Sequence, residues 1–276
     1  MNNPLISITI PTYNSEKTLP LCLQSIQNQT YQPIETIIID SYSQDKTIKI
    51  AKTYPTKIIQ TKWKRLGARY LGLQKAKGEY ILLLDSDQIL KTRKVIQHAV
   101  NLTQQKNLDL LILEEETYQP QTWLQKLHQA DRKLIHQLTQ IQKNPVEGVL
   151  HARFYKKTIL EKAFNNIPEQ LIPTINVYDD AIIYYEATKI SKKVDILPNA
   201  LFHIEPKTLT EFWRKNYNYG KNTKKIIKTG YYQQLLNKKI RFRKGALKKE
   251  NLWLGFQSYL LLTLKALTFK LGYWKE

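Results

Sequence analysis

Short apolar, β-branched runs alternate with segments of helical periodicity through the N-terminal part of the chain. That alternation restricts the fold to a largely parallel sheet covered on both faces. Residues 5–10 read as a strand that ends at Pro11-Thr12-Tyr13-Asn14. Residues 19–27 carry Leu19, Leu23 and Ile26 at helical spacing, with Ser15 or Thr18 as the N-cap. A strand over 34–39 closes at Asp40, a helix over 47–54 follows, and 57–60 is a short strand. A helix over 66–77 is closed by Gly78 and leads to the apolar run 80–84. No Gly-x-Gly-x-x-Gly follows the first strand, which disfavours a dinucleotide fold of the dehydrogenase kind.

Directly after the last of these strands stands Asp85-Ser86-Asp87. In open α/β sheets ligands bind outside the carboxyl ends of the strands. Two carboxylates there offer hard oxygen ligands to a divalent cation and leave coordination positions for phosphate. Taken alone, such a tripeptide is more often an ordinary strand-ending turn. Zinc is not indicated, because His98, His128, His136 and His151 lack a spacing such as His-Glu-x-x-His.

Several motifs in order resemble family 2 glycosyltransferases with a GT-A fold. Pro11-Thr12-Tyr13-Asn14 is similar to the family's opening motif, and residues 39–47 around Asp40 and Ser41 are similar to its second-strand nucleotide motif. Gly67-Ala68-Arg69, Gly78-Glu79-Tyr80 and Asp85-Ser86-Asp87 resemble its approach to the metal site. Residues 154–164 resemble its acceptor-side strand and helix, and Tyr178-Asp179-Asp180 its acidic pair. The resemblance runs from about residue 5 to about residue 190.

It implies an inverting enzyme that uses a nucleotide-sugar donor and a divalent cation, Mn or Mg. Pro11, Thr12, Tyr13, Asn14, Asp40, Ser41, Arg69, Asp85 and Ser86 would bind the donor. Asp87, assisted by Asp85, would hold the cation, with His203 as a further candidate. Asp180, with Asp179 beside it, would be the base that takes the acceptor proton. Without the resemblance, an acidic pair before an apolar helix merely complements the helix dipole. Ser41 departs from the family's frequent second acid, often the one that meets the base, and Tyr42 replaces a small residue. Both departures weaken the reading of the donor base, and a UDP-sugar is only modestly favoured over a GDP-sugar. No Gln-x-x-Arg-Trp pattern occurs, and Phe212-Trp213-Arg214 only brushes it, so processive polymer synthesis is not supported.

The expected fold is therefore α/β: a GT-A-like, mixed and mainly parallel sheet flanked by helices. It would occupy residues 1–201, with a donor half 1–88 and an acceptor half 89–201, followed by a basic helical extension 202–276. The net charge is +20, and residues 214–249 hold thirteen Lys or Arg and no acid, interleaved with aromatic residues. Residues 252–274 are rich in Leu and aromatics but contain Lys265 and Lys270. This reads as an amphipathic interfacial helix with snorkelling lysines rather than a span. An anionic membrane surface is the expected partner, with a saccharide or lipid-linked acceptor. The single cysteine, Cys22, fits a reducing compartment and the core. With no basic-then-apolar leader, the expected place is the cytoplasm, at the inner face of the cell membrane. Two other classes are a nucleic-acid-binding module and a silent scaffold. The ordered acids Asp40, Asp85, Asp87, Asp179 and Asp180 argue against the first, and no nucleic-acid partner is expected.

Overall fold

The computed structural model describes residues 3–138, 150–236, 248 and 251–275. Trp123, Leu127, Leu134 and Leu138 form an apolar stripe that predicts a helix over 121–143. Its end, the side chain of Leu138, and most of the residues between 236 and 251, Phe242 included, lie outside the described residues. The strands are β1 (Ile6–Thr12), β2 (Ile34–Asp40), β3 (Thr56–Gln60), β4 (Tyr80–Leu83), β5 (Gln88–Leu90), β6 (Leu110–Thr117), β7 (Ala152–Lys156) and β8 (Val194–His203). They form one eight-stranded sheet in the order β3-β2-β1-β4-β7-β6-β8-β5. The first four run parallel, whereas β7 is antiparallel to both β4 and β6. The sheet is thus mixed and mainly parallel, flanked by helices.

Strands β1, β2 and β4 are largely buried on both faces, which explains their nearly unbroken apolar runs, whereas the edge strand β3 is partly exposed. On one face Ile6, Ile8 and Ile10 meet Leu19, Cys22, Leu23 and Ile26 of α1 (Leu19–Gln27) in the main core. On the other, Thr9 lies against α3 (Arg65–Lys75) so closely that a Cβ on Gly72 would collide with it. In this parallel register Thr12 stands beside Asp40, which brings two separate strand ends together.

Element boundaries differ from the periodicity in instructive places. Helix α2 stops at Ala51 rather than near Tyr54, because Pro55 disfavours helical backbone before it. The pattern of residues 194–197 reads as a strand, but β8 continues past it through Pro198 to His203. Asn199 takes a left-handed conformation (φ 54°), and its N–H donates to the Glu114 carboxylate at 2.7 Å. The proline is accommodated at an irregularity, as prolines in strands usually are.

By contacts the chain divides into two compact units, one made chiefly of Met1–Glu114 and Leu150–Phe202, the other of Glu115–Gln142 and His203–Glu276. The second is built on α5 (Trp123–Leu138), α8 (Leu209–Lys228) and α10 (Leu252–Trp274), with the short α9 (Gln233–Leu236). Leu124, Leu127, Phe212 and Leu261 form its apolar centre. Helix α8 starts at a capping box in which Thr208 accepts from the Glu211 N–H and Glu211 accepts from the Thr208 N–H. Helices α8 and α10 approach backbone to backbone: a Cβ on Gly220 would strike Phe269, and one on Gly272 would strike Tyr217. Gly272→Leu should therefore destabilise this unit by about 3 kcal/mol, read as a lowered thermal unfolding midpoint, while the exposed Leu271→Ala should change it little.

Candidate active site

At the carboxyl edge of the sheet, Asp40 is fully buried and organises the loop that follows β2. It accepts from Thr12 Oγ1 (3.0 Å), the Ser43 N–H (2.9 Å), Ser43 Oγ (2.5 Å) and Gln60 Nε2 (3.4 Å). The β1 and β2 loops are also tied to each other, since Asn14 N–H donates to Ser43 Oγ and Gln44 N–H donates to Asn14 Oδ1. Asn14 (φ 49°) and Tyr42 (φ 57°) both hold left-handed backbone, a conformation that needs support from its surroundings and clusters at binding sites. The rings of Tyr13 and Tyr42 stand exposed beside these turns.

An open cleft of about 170 Å³ lies at this edge, lined by Pro11, Thr12, Tyr13, Ser15, Ser41, Arg65, Asp85, Ser86, Asp87 and Asn176. Ser15 and Ser86 share a hydrogen bond between hydroxyls at 2.9 Å, which links the β1 loop to the acidic turn after β4. Ser41, not Asp40, forms the cleft wall at the end of β2. Asn14 belongs instead to a neighbouring depression with Gln44 and Asp45.

Behind the cleft runs a chain of ion pairs. Asp85 accepts from Arg65 (2.7 Å) and Arg69 (2.6 Å) and forms an ion pair with Arg153 (3.0 Å). Arg69 has no exposed side-chain surface, and its Nε donates to Asp179. Arg65 Nε also lies 3.4 Å from Asp179. Asp179 and Asp180 open α7 (Asp179–Ile190), directly after Tyr178 in the left-handed region (φ 62°). Asp180 Oδ2 is 3.6 Å from Arg153 and 3.8 Å from His151 Nδ1. Burial opposes the charge on Asp180, but His151, Arg153 and Arg65 outweigh it and hold the carboxyl down at about 2. At neutral pH this group is therefore an anion, the form a proton acceptor needs.

The expected residues thus fall into distinct positions. Pro11, Thr12, Tyr13, Ser41, Asp85, Ser86 and Asp87 line the cleft, while Asp40, Arg69 and Asp179 stand behind its wall. Where Arg69 was expected to reach a diphosphate, it is enclosed, and Arg65 lines the cleft in its place. His203 lies in the second unit, with Nδ1 3.3 Å from Glu205. Glu205 also accepts from Arg132 at 2.5 Å and lies 3.2 Å from His128. Burial disfavours its charge, but His203, Arg132 and His128 hold it well below the usual carboxylate range.

Sequence reasoning passed over Ser15, Arg65, Asn176, Arg153 and the role of His151. Arg65 could have been found from its helical neighbour, since residues four apart share a helix face. His151 and Arg153 alternate in the manner of side chains on one side of extended backbone. Asn176 carries no such pattern.

Among the described residues no group of three or more His, Cys, Asp or Glu is arranged to hold a metal ion. The two carboxylates after β4, Asp85 and Asp87, are hard oxygen donors, of the kind and number that hold magnesium in a position shared with a substrate's phosphates rather than in an all-protein cage. Asp85, engaged by three guanidinium groups, is better placed to shape that position than to dominate it.

The fold, a mixed and mainly parallel sheet flanked by helices, is of the GT-A kind. The chain belongs to Glycosyl transferase family 2, whose sequence model matches residues 7–164. It is 40% identical over 115 residues to an uncharacterized glycosyltransferase of Haemophilus influenzae, covering 39% of this chain and 46% of that one. It is 35% identical over 115 residues to glycosyltransferase GlyG of Streptococcus pneumoniae, covering 39% and 38%. The matched stretch thus spans less than half of either relative. Among solved structures, residues 1–349 of Staphylococcus aureus TarS in complex with UDP-GlcNAc align with a TM-score of 0.60 at 16% identity, over 97% of this chain and 89% of that one. A Pyrobaculum calidifontis mannosyltransferase in complex with GDP-Man and Mn2+ aligns with a TM-score of 0.54 at 19% identity, over 96% and 76%.

Two outcomes follow from this geometry. Replacing Arg69 by Met takes from Asp179 and Asp85 their one fully buried cation, leaving only the partly exposed Arg65 and the more distant Arg153 beside them, and should cost about 3 kcal/mol of unfolding free energy in urea titration. The carboxyl of Asp180 is depressed from 3.8 to about 2, so its contribution to stability is present above pH ~4 and lost as pH falls toward ~2. Asp180→Asn should flatten the acid-induced loss of stability in that window; an unchanged acid profile would contradict the assignment.

Proposed function

We propose that this chain is a metal-dependent inverting glycosyltransferase that moves a sugar from a nucleoside-diphosphate donor to an acceptor hydroxyl. One observation carries the reading. The guanidinium of Arg65 lines the donor cleft and lies within ion-pair distance of both Asp85 and Asp179. It thereby joins the end of β4 to the acids that open α7.

Thr12, Tyr13 and Ser41 would receive the base and ribose, with Asp40 and Asn14 fixing the loops that present them. Arg65 would meet the diphosphate with a planar fork, and Arg69 would hold Asp85 and Asp179 in place behind it. Asp87, with Asp85 behind it, would hold the divalent cation (Mn or Mg), which when bound neutralises charge on the departing diphosphate. The acceptor oxygen attacks the anomeric carbon as the carbon–oxygen bond to the phosphate breaks. Asp180 accepts the hydroxyl proton, and the sugar inverts.

A UDP-sugar is the favoured donor, supported by the UDP-GlcNAc bound to the aligned TarS structure, and the GDP-Man of the mannosyltransferase keeps GDP second. The proposed division of labour puts the donor in residues 1–88, the acceptor in 89–201, and membrane association in 202–276. The acceptor would be a saccharide or lipid-linked, met at the cytoplasmic face of an anionic membrane. One helix, Leu252–Trp274, is long and apolar enough to cross a membrane by length and composition.

A screen of nucleotide-sugars for metal-dependent hydrolysis and transfer identifies the donor. With it, Asp180→Asn should lower kcat by about 10²–10⁴ while donor affinity stays within about threefold. Transfer at an undiminished rate would refute the base assignment.

A further inference from the structure

The polarity of helix α10 is inverted relative to that of a helix on a soluble surface. At 100° per residue, Trp253, Phe256, Leu260, Leu267, Leu271 and Trp274 fall within a sector of ~60°. All six are exposed, Trp253 to 69% and Trp274 to 70%. The opposite side carries Gly255, Ser258, Leu261, Lys265 and Gly272, of which all but the lysine are buried. Apart from Leu261, which joins the apolar centre of the unit, small and polar groups face the protein, and the large apolar side chains of the stripe face out.

The inward polar groups have partners within this unit. Ser258 Oγ donates to Asp131 of α5. Lys265 is half-buried among His128, Asp131, Arg132 and Glu205 in a cavity of about 340 Å³. It does not reach toward the outer face, as a snorkelling lysine would. The apolar stripe is interrupted on that side only by Thr263 and by Lys270 at its edge.

We infer that this outer face of α10 lies in the plane of an anionic lipid bilayer, embedded lengthwise to the depth of its own side chains. The inference rests on the membrane-proximal reading above and names the surface responsible. Spanning is disfavoured, although 23 residues reach ~34 Å. The inner side is covered by α5 and α8 from Ser258 to Gly272, so a crossing would carry Asp131, Arg132 and Lys265 into hydrocarbon. Lipid is favoured over a second copy of the chain by charge. The described part of α8 beyond Glu211 bears Arg214, Lys215, Lys221, Lys224, Lys225 and Lys228 and no acid, which suits anionic headgroups and opposes a like-charged neighbour. Trp253 and Trp274 mark the two ends, the residue type that prefers headgroup depth.

The test uses the full chain and flotation with vesicles of phosphatidylcholine, with or without phosphatidylglycerol. Binding should require the anionic lipid and weaken at high salt. The double variant Phe256→Ser/Leu267→Ser removes two outward side chains and should bind at least about tenfold less while unfolding at the same temperature. As a second measurement, Leu260→Trp should be quenched most by lipids brominated near the headgroups. Three results would overturn the inference: no binding to anionic vesicles, binding unaffected by the double variant, or deepest quenching at the bilayer centre. A concentration-dependent dimer that the double variant abolishes, without vesicle binding, would assign the face to a second copy. Catalysis of transfer to a soluble acceptor is read separately, so loss of one reading leaves the other standing.

Discussion

The enclosed guanidinium of Arg69 is the contact on which the rest of the catalytic unit depends. It joins a carboxylate at the end of β4 to one at the start of α7, side chains far apart in sequence. Neither acid could remain charged in that interior alone, because an unpaired buried charge costs several kcal/mol. With Arg65 and Arg153 added, Asp85 is surrounded by cations and the strand end is locked in one arrangement. The cleft residues are arranged around this locked point. The same positive surroundings explain why Asp180 remains ionised despite its partial burial.

The second unit solves a different problem. Its helices pack through glycine crossings and a buried polar knot beside a small apolar centre. Gly220 and Gly272 let two backbones touch, and Glu205 gathers Arg132, His128 and His203. Apolar side chains spared from that packing line the outer side of α10. A helix apolar enough to pass for a core segment thus keeps Trp253, Phe256, Leu267 and Trp274 exposed among the described residues.

The fold was readable from the first ninety or so residues because parallel strands buried on both faces write themselves as apolar runs, and the helices between them keep their periodicity. Residues at strand ends, such as Thr12, Ser41 and Asp87, were readable for the same reason: the end of a run announces the edge of the sheet. Arg65, Arg153 and His151 were not. Their importance comes from tertiary pairing across the sheet, which spacing alone encodes only as a weak same-face hint. The direction in which Lys265 points was likewise settled by partners on α5 rather than by the hydropathy of its own segment. Strand β8 escaped because a proline that ends most strands is here absorbed by a left-handed asparagine.

The central claim is that a nucleoside diphosphate and a divalent cation meet at the turn holding Asp85, Ser86 and Asp87. Calorimetric titration of UDP and of GDP into the protein, with and without Mn2+, addresses it most directly. The account predicts saturable heat that requires the metal and vanishes in Asp87→Ala. Absence of binding by either nucleotide in the presence of the metal, or binding untouched by that substitution, would contradict it.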